Sequence, residues 1–380
     1  MSWLDIFGCD EIATQFARAN RRNRLGGSFL FVGPKGVGKR NFAFALGKAL
    51  LCEKNFSKDE AVASRLDESD EAALAESTPC GVCESCKRFE FDVASVETRI
   101  PTHPDFHYVC KPEDRSYIPI SLLVGDKEDR SEAGLCYNLS LSAYMGGRKI
   151  AVIDDADYFN VEGANALLKT LEEPPANTII ILIGTSATKQ LPTIRSRCQI
   201  FRFAPLATDD VAEILLRLGK VTSPEEATAF ARVSGGSVDV ALKALDSDFA
   251  LFQNTILTEL ARDRLTSVKF ATQVIEYVDK ISKEATVRRP RLRNALEFAA
   301  SFYRALYEEL AFPSNVRRTS SQALVSAAKK RANSGDLIPE DALECLERTL
   351  QASDQVDQNA NLPYVVETWL YDLSAILTRS

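Results

Sequence analysis

A chain of 380 residues is too long for one ordinary core, so two or three domains are expected. With 45% hydrophobic and 26% charged residues it has the composition of a soluble globular protein, and no apolar run is long enough to cross a bilayer. A formal charge of -7 argues against unspecific nucleic-acid binding by the isolated chain. The first residues, Met1 to Asp5, lack the basic and apolar regions of a signal peptide, so a cytoplasmic location is expected and the nine cysteines are expected as thiols.

Residues 1–205 alternate short apolar runs with helical patterns, which predicts an α/β domain with a parallel sheet. Ser28 to Val32 reads as a buried strand, followed by a glycine-rich loop and an amphipathic helix through Phe42, Ala45, Leu46, Ala49 and Leu50. Lys149–Ile153, Thr178–Ile183 and Gln199–Phe203 read as further strands. Val161–Glu173 reads as a helix stopped by Pro174 and Pro175. Residues 53–79, rich in Glu, Asp, Ser and Ala, read as a solvated insertion, in part helical.

From about residue 206 the strand signals vanish. Val211, Ile214, Leu215 and Leu218 share one helical face. Ser223 caps a helix that has Pro224 in its first turn and ends at Gly235 and Gly236. A small helical domain over 206–246 and an all-helical domain over 247–380 are therefore expected. Val366, Trp369, Leu370, Leu373, Ile376 and Leu377 form one stripe near the end. Such a stripe is expected to supply a subunit contact, with an internal core helix as the alternative.

The loop Gly33 to Arg40 has the form Gly-x-x-x-x-Gly-Lys, in which backbone N–H groups and Lys39 meet phosphates. The next position should be a hydroxyl that coordinates magnesium; here it is Arg40. Asp154, at the end of the second strand read above, is placed as the magnesium-associated acid, and Asp155 stands one methylene short of a water-orienting Glu. Gly33, Gly38, Lys39 and Asp154 therefore outline a degenerate nucleotide site, where ATP binding stays open and magnesium binding is not expected. Alternatively the aspartates simply cap the following helix.

Cys80, Cys83 and Cys86 recur at every third position, and Cys52 can supply a fourth thiolate. Four thiolates suit a closed, structural zinc site. His103 and His107, the two histidines, are read as non-ligands, and the remaining five cysteines as small buried hydrophobes.

Several segments together resemble the AAA+ clamp-loader subunits of bacterial DNA polymerase III. They are Asn165–Pro175 (NALLKTLEEPP), Ser196-Arg197-Cys198, the four-cysteine arrangement, His103-Pro104-Asp105 and the run Asn359 to Glu367. The resemblance implies an AAA+ P-loop domain over 1–205 with a zinc module at about 52–86, a helical lid over 206–246 and a helical collar over 247–380. It implies that Arg197, preceded by Ser196, is an arginine finger for a neighbouring subunit's ATP. Of the two subunit types that share the pattern, gamma/tau keeps its catalytic groups and delta-prime commonly loses them. Arg40, Asp155, the chain length and the lack of an arginine near Gly236–Asp239, where a sensor-2 residue is expected, point to the delta-prime type. Thr185 or Ser186 stands at the sensor-1 position.

The implied partners are gamma/tau and delta subunits in a hetero-oligomer, with the sliding clamp and primed DNA reached through the complex. Two other readings remain: a gamma/tau-type ATPase, and a zinc-dependent nucleic-acid-binding module using Arg288, Arg289, Arg291, Arg293 and Lys329 to Arg331.

Overall fold

The computed structural model describes residues 6–22, 25–56, 70–89, 100–112, 115–126, 132–145, 147–312, 322–334 and 337–378. These fall in two compact units, one within 1–112 and 117–240, the other within 113–116 and 241–380.

The first unit is built on a parallel sheet. Its strands are β1 (Gly27–Val32), β2 (Phe106–Val109), β3 (Lys149–Ile153), β4 (Thr178–Gly184) and β5 (Gln199–Arg202). Their spatial order is β2-β3-β4-β1-β5, and every pairing is parallel. The α/β parallel-sheet class expected from the sequence is therefore observed, with β2 as an added edge strand that the apolar pattern did not announce.

The pleat sends alternate β1 residues to opposite faces. Phe29 and Phe31 enter an aromatic cluster with Phe16, Phe42, Phe201 and Phe203, in which neighbouring ring centroids lie 4.7–6.0 Å apart. Leu30 and Val32 face the other way, into an aliphatic core with Ile153, Ile180, Leu182, Ala164, Leu167 and Leu171. The helix Val161–Glu172 covers that face. Its C-terminal end is pinned to β1 by a buried bond from the Ser28 hydroxyl to the Leu171 carbonyl, 2.9 Å. Removing one of the fully buried phenylalanines, such as Phe31, is expected to cost about 3–5 kcal/mol.

Residues 206–240 belong to this same unit. Val211 and Leu215 are buried in the helix Thr208–Arg217. The Ser223 hydroxyl caps the helix Pro224–Val233 at the Glu226 amide, 3.1 Å, as expected. Of the insertion at 53–79, Glu53–Phe56 and Asp70–Glu76 are helical, and residues 57–69 lie outside the described residues. The two ends are tied together by Asn55, whose amide donates to the carbonyls of Ala49 (2.8 Å) and Ser77 (2.9 Å).

The second unit is helical throughout its described residues, with its core formed by Ser247–Leu260, Ser267–Asp279, Ala285–Ala311, Gln322–Ala332, Pro339–Asp357 and Leu362–Leu377. The C-terminal stripe does not face outward. Val366, Trp369, Leu370, Leu373, Ile376 and Leu377 are all buried in this core, which corrects the expectation of a subunit contact there. Trp369 also donates its indole N–H to the Thr349 hydroxyl at 3.0 Å.

The arginine cluster is likewise spent inside the unit. Arg288 pairs with Asp279 (2.6 Å), Arg289 bonds the Val356 carbonyl (2.9 Å), and Arg293 pairs with Asp357. Arg291 is buried, bonds the Tyr277 carbonyl through two nitrogens (3.2 and 3.1 Å), and stacks 4.1 Å from the centroid of that tyrosine ring. Arg331 is buried too, bonding the Asp263 carbonyl and the Ser334 hydroxyl. These arginines therefore offer no free basic surface of the kind the nucleic-acid-binding reading requires, although Lys329 and Lys330 are exposed. Among the described residues no helix is long and apolar enough to cross a membrane.

Candidate functional site

The glycine-rich loop leaves the C-terminal end of β1 and turns into the helix Lys39–Leu51. Gly36 and Gly38 have φ of 76° and 89°, backbone that glycine adopts without steric cost. Gly36 is also closely covered: a Cβ there would lie 2.4 Å from the Ser237 hydroxyl and 2.6 Å from the Asp239 nitrogen. The covering segment bonds the loop directly. The Ser237 hydroxyl donates to the Lys35 carbonyl (2.8 Å) and the Val238 amide to the Gly36 carbonyl (3.0 Å). The segment expected to carry a sensor-2 arginine thus rests on the loop and brings Asp239 there instead.

Lys39 is turned back on its own loop. Its ammonium donates to the carbonyls of Gly33 (2.8 Å) and Pro34 (2.6 Å). Burial lowers its pKa from the ordinary lysine value, an effect that Asp154, Asp157 and Asp239 partly offset.

Arg40 forms an ion pair with Asp154 through Nε and Oδ2. Burial is the largest single effect and works against the arginine charge, but Asp154, Tyr108 and Asp155 together raise the Arg40 pKa. The Asp154 carboxylate is otherwise filled by the Tyr108 hydroxyl (3.2 Å) and the Asp155 amide (2.8 Å). Asp155 itself is in left-handed backbone at φ 56°, and burial, then Asp154, raises its pKa. These donors do not fit magnesium. The acid that would receive the ion is neutralised by a fixed cation, and the hydroxyl ligand is missing. No metal-assisted step is derived for this site. The loop glycines and Lys39 retain the shape of a phosphate cradle.

At the position expected for sensor 1, Thr185 donates its amide (2.8 Å) and hydroxyl (2.5 Å) to Asp157, whose other oxygen accepts from Gln190 (2.5 Å). Ser186 instead bonds Thr188, 2.7 Å.

The four cysteines converge. The Sγ atoms of Cys52, Cys80, Cys83 and Cys86 all lie within 4.8 Å of one another, with Cys52 and Cys83 at 4.0 Å. A tetrahedron of thiolates about 2.3 Å from zinc has edges of about 3.8 Å, so the donor set fits that ion. Backbone amides of Cys80, Cys83 and Cys86 already donate to the sulfurs of Cys52, Cys80 and Cys83 at 3.3–3.4 Å. Cys52 sits at the end of the helix that begins at Lys39, and the next residue, Glu53, accepts from the Ser85 amide (3.2 Å) inside the Cys83–Cys86 turn. Together these residues would hold zinc as a structural cross-link.

Neither histidine is among the four residues of this cluster. His103 is buried and accepts the Asp105 amide at Nδ1 (3.1 Å). Asp105 accepts the amides of Tyr144 (2.6 Å) and Met145 (2.9 Å), so the His-Pro-Asp segment braces a turn. Of the five other cysteines, Cys9 and Cys345 are buried; Cys110, Cys136 and Cys198 are half-buried.

Arg197 follows the short helix Pro192–Arg195 and precedes β5. Its Nε pairs with Glu172 (2.9 Å) and its NH1 bonds the Thr193 carbonyl (3.1 Å), which also accepts the Ser196 hydroxyl (3.2 Å). In the parallel register Gln199 lies beside Phe29, whereas the phosphate loop begins at Gly33. Arg197 therefore sits at the opposite end of the sheet from its own loop, separated by roughly 13 Å of strand at about 3.3 Å per residue. It cannot serve its own phosphate loop.

The sequence reading missed Tyr108, because β2 was not expected, and Glu172, whose link to Arg197 is tertiary. The strand's weak signal was the alternation Phe106, Tyr108 against His107, Val109.

A protein family described as DNA polymerase III, delta subunit, matches residues 8–207. Among curated relatives, the DNA polymerase III subunit delta' of Pseudomonas aeruginosa is 32% identical over 171 residues, 45% of this chain and 41% of that protein. The subunit delta' of Bacillus subtilis is 28% identical over 229 residues, 60% of this chain and 57% of the relative. The DNA polymerase III subunit tau of Escherichia coli is 27% identical over 269 residues, 68% of this chain but 34% of that longer protein. The similarity thus spans less than two thirds of the length of each of these relatives.

Proposed function

Since this chain belongs to the DNA polymerase III delta-subunit family, we propose that it is a delta-prime-type subunit of a clamp loader that has lost its own ATPase chemistry. The observation that carries this reading is the Arg40–Asp154 ion pair, which puts a fixed cation on the acid that a working site keeps for magnesium. Asp155 in place of a glutamate and Asp239 in place of a sensor-2 arginine agree with it. The protein assembles with gamma/tau and delta subunits, and the complex opens the sliding clamp and places it on primed DNA.

Within that ring Arg197 acts in trans. Its position at the far end of the sheet from the chain's own loop supports use by a neighbour. A guanidinium offers donors and a permanent charge where negative charge builds on a transferring phosphoryl group. The zinc module and the helical second unit serve the assembly and not the chemistry.

The relation to tau proteins keeps one competing reading open, a gamma/tau-type ATPase, and hydrolysis by the purified chain alone would favour it. The test is Arg197→Ala in the reconstituted complex. We expect normal assembly and a fall in ATP hydrolysis on the order of 1,000-fold at the site served, the lower end of what an arginine finger contributes. Hydrolysis unchanged in an assembled complex would overturn the finger assignment.

A further inference from the structure

Arg197 is a seated side chain, and both of its anchors are themselves anchored. Glu172 is the last residue of its helix, which Pro174 and Pro175 prevent from continuing. The residue before it, Leu171, is buried and held to β1 through the Ser28 bond. Thr193 lies in the helix Pro192–Arg195, whose Ile194 is fully buried in the aliphatic core. The guanidinium is therefore fixed from two sides by groups tied to the sheet.

The manner of holding leaves part of the group open. Glu172 takes the Nε hydrogen and Thr193 one hydrogen of NH1. Among the described residues the remaining terminal nitrogen, NH2, carries no hydrogen bond. A guanidinium has five donors in a rigid plane, so fixing two of them fixes the direction of the other three. Those three suit the oxygens of a phosphoryl group, with which charge-assisted bonds are strongest.

We propose that Glu172 is a positioning residue for Arg197, orienting its free N–H groups toward the neighbouring subunit's phosphate. This rests on the trans-acting role of Arg197 proposed above. The pair is solvent-accessible, with Glu172 59% and Arg197 30% exposed, so it contributes little to folding. Its effect therefore falls on geometry, where a displacement of about 1 Å can cost on the order of 100-fold in rate.

The experiment is steady-state ATP hydrolysis by the reconstituted complex carrying the full chain, with assembly checked by gel filtration. Four variants are compared: Glu172→Ala, Glu172→Gln, Arg197→Ala and the Glu172→Ala/Arg197→Ala double variant. Glu172→Ala is expected to lower kcat on the order of 10-fold with KM for ATP unchanged, less than a full 1 Å displacement because the Thr193 bond remains. Glu172→Gln should recover most of the rate, since its amide oxygen still accepts from Nε. The double variant should be no slower than Arg197→Ala alone. If Arg197→Ala lowers hydrolysis while Glu172→Ala leaves it unchanged, the positioning role is refuted and the finger stands. An additional loss from Glu172→Ala on the Arg197→Ala background also refutes it, because Glu172 then acts through something else. If Arg197→Ala itself has no effect, the trans role fails and the positioning role falls with it.

Discussion

Replacing Arg40 by alanine is the most direct probe of how the glycine-rich loop and Asp154 are held together. Asp154 is 9% exposed, and Arg40 supplies its counter-charge from a side chain that is 43% exposed. Two unit charges 4 Å apart attract by about 4 kcal/mol at an effective dielectric of 20. A fully exposed pair retains about 0–1 kcal/mol, whereas breaking a buried pair costs about 3–5 kcal/mol. With one partner buried and the other near half-exposed, a cost of about 2 kcal/mol is expected for Arg40→Ala. The Tyr108 hydroxyl and Asp155 amide remain to satisfy part of the carboxylate. In a double-mutant cycle with Asp154→Asn the coupling should be about 1–2 kcal/mol. The assay is urea unfolding followed by far-UV circular dichroism, in a Trp3→Phe background so that Trp369 fluorescence reports separately on the helical unit. A variant within about 0.5 kcal/mol of the parent, the usual range for an inconsequential surface change, would refute the claim that Arg40 compensates a buried charge. Arg40→Ser is expected to lose similar stability without gaining robust turnover, because Asp155 and Asp239 are unchanged. Rapid hydrolysis by that single variant would show that the other two replacements matter little.

Two further outcomes follow from the cysteines and from the helical unit. Metal analysis should give about one zinc per chain, as four thiolates require, and Cys52→Ser should lower zinc retention and loosen the module; a folded, metal-free protein would remove the site. Arg291→Ala should destabilise the helical unit by about 2–3 kcal/mol through loss of two charge-assisted bonds and the Tyr277 stack, while leaving DNA affinity untouched. A steep, salt-dependent loss of DNA binding in Arg291→Ala would instead revive a nucleic-acid role for this stretch.

The strands β1, β3, β4 and β5 were legible because each is a run of branched or aromatic residues bounded by turn signals. β2 was not: like β5 it is a four-residue edge strand, but His107 interrupts its apolar run. The cysteine site was legible from spacing once Cys52 was included; its closure relies on Asn55 and Glu53, whose partners lie 22 and 32 residues away. Burial could not be read from the stripe around Trp369, since a helix seated in its own core and one seated on a partner present the same period. The arginines from 288 to 293 misled for a related reason. Their acceptors, Tyr277, Asp279, Val356 and Asp357, come from other helices up to 67 residues distant, so local sequence showed the charges and hid what consumes them. The degeneracy of the phosphate loop was visible in Arg40 alone, but its pairing with Asp154 required the fold.

The Arg40–Asp154 pair also bears on how reversible such a loss is. A chain that merely lacked its metal-binding hydroxyl could regain it in one substitution. Here that substitution removes the partner of a buried carboxylate before any ion is bound to replace it, so the first step back toward catalysis passes through a less stable protein. On the proposed reading the arginine acts as a ratchet: replacing Arg40 unpairs Asp154, and that loss of stability stands between this loop and one that binds magnesium.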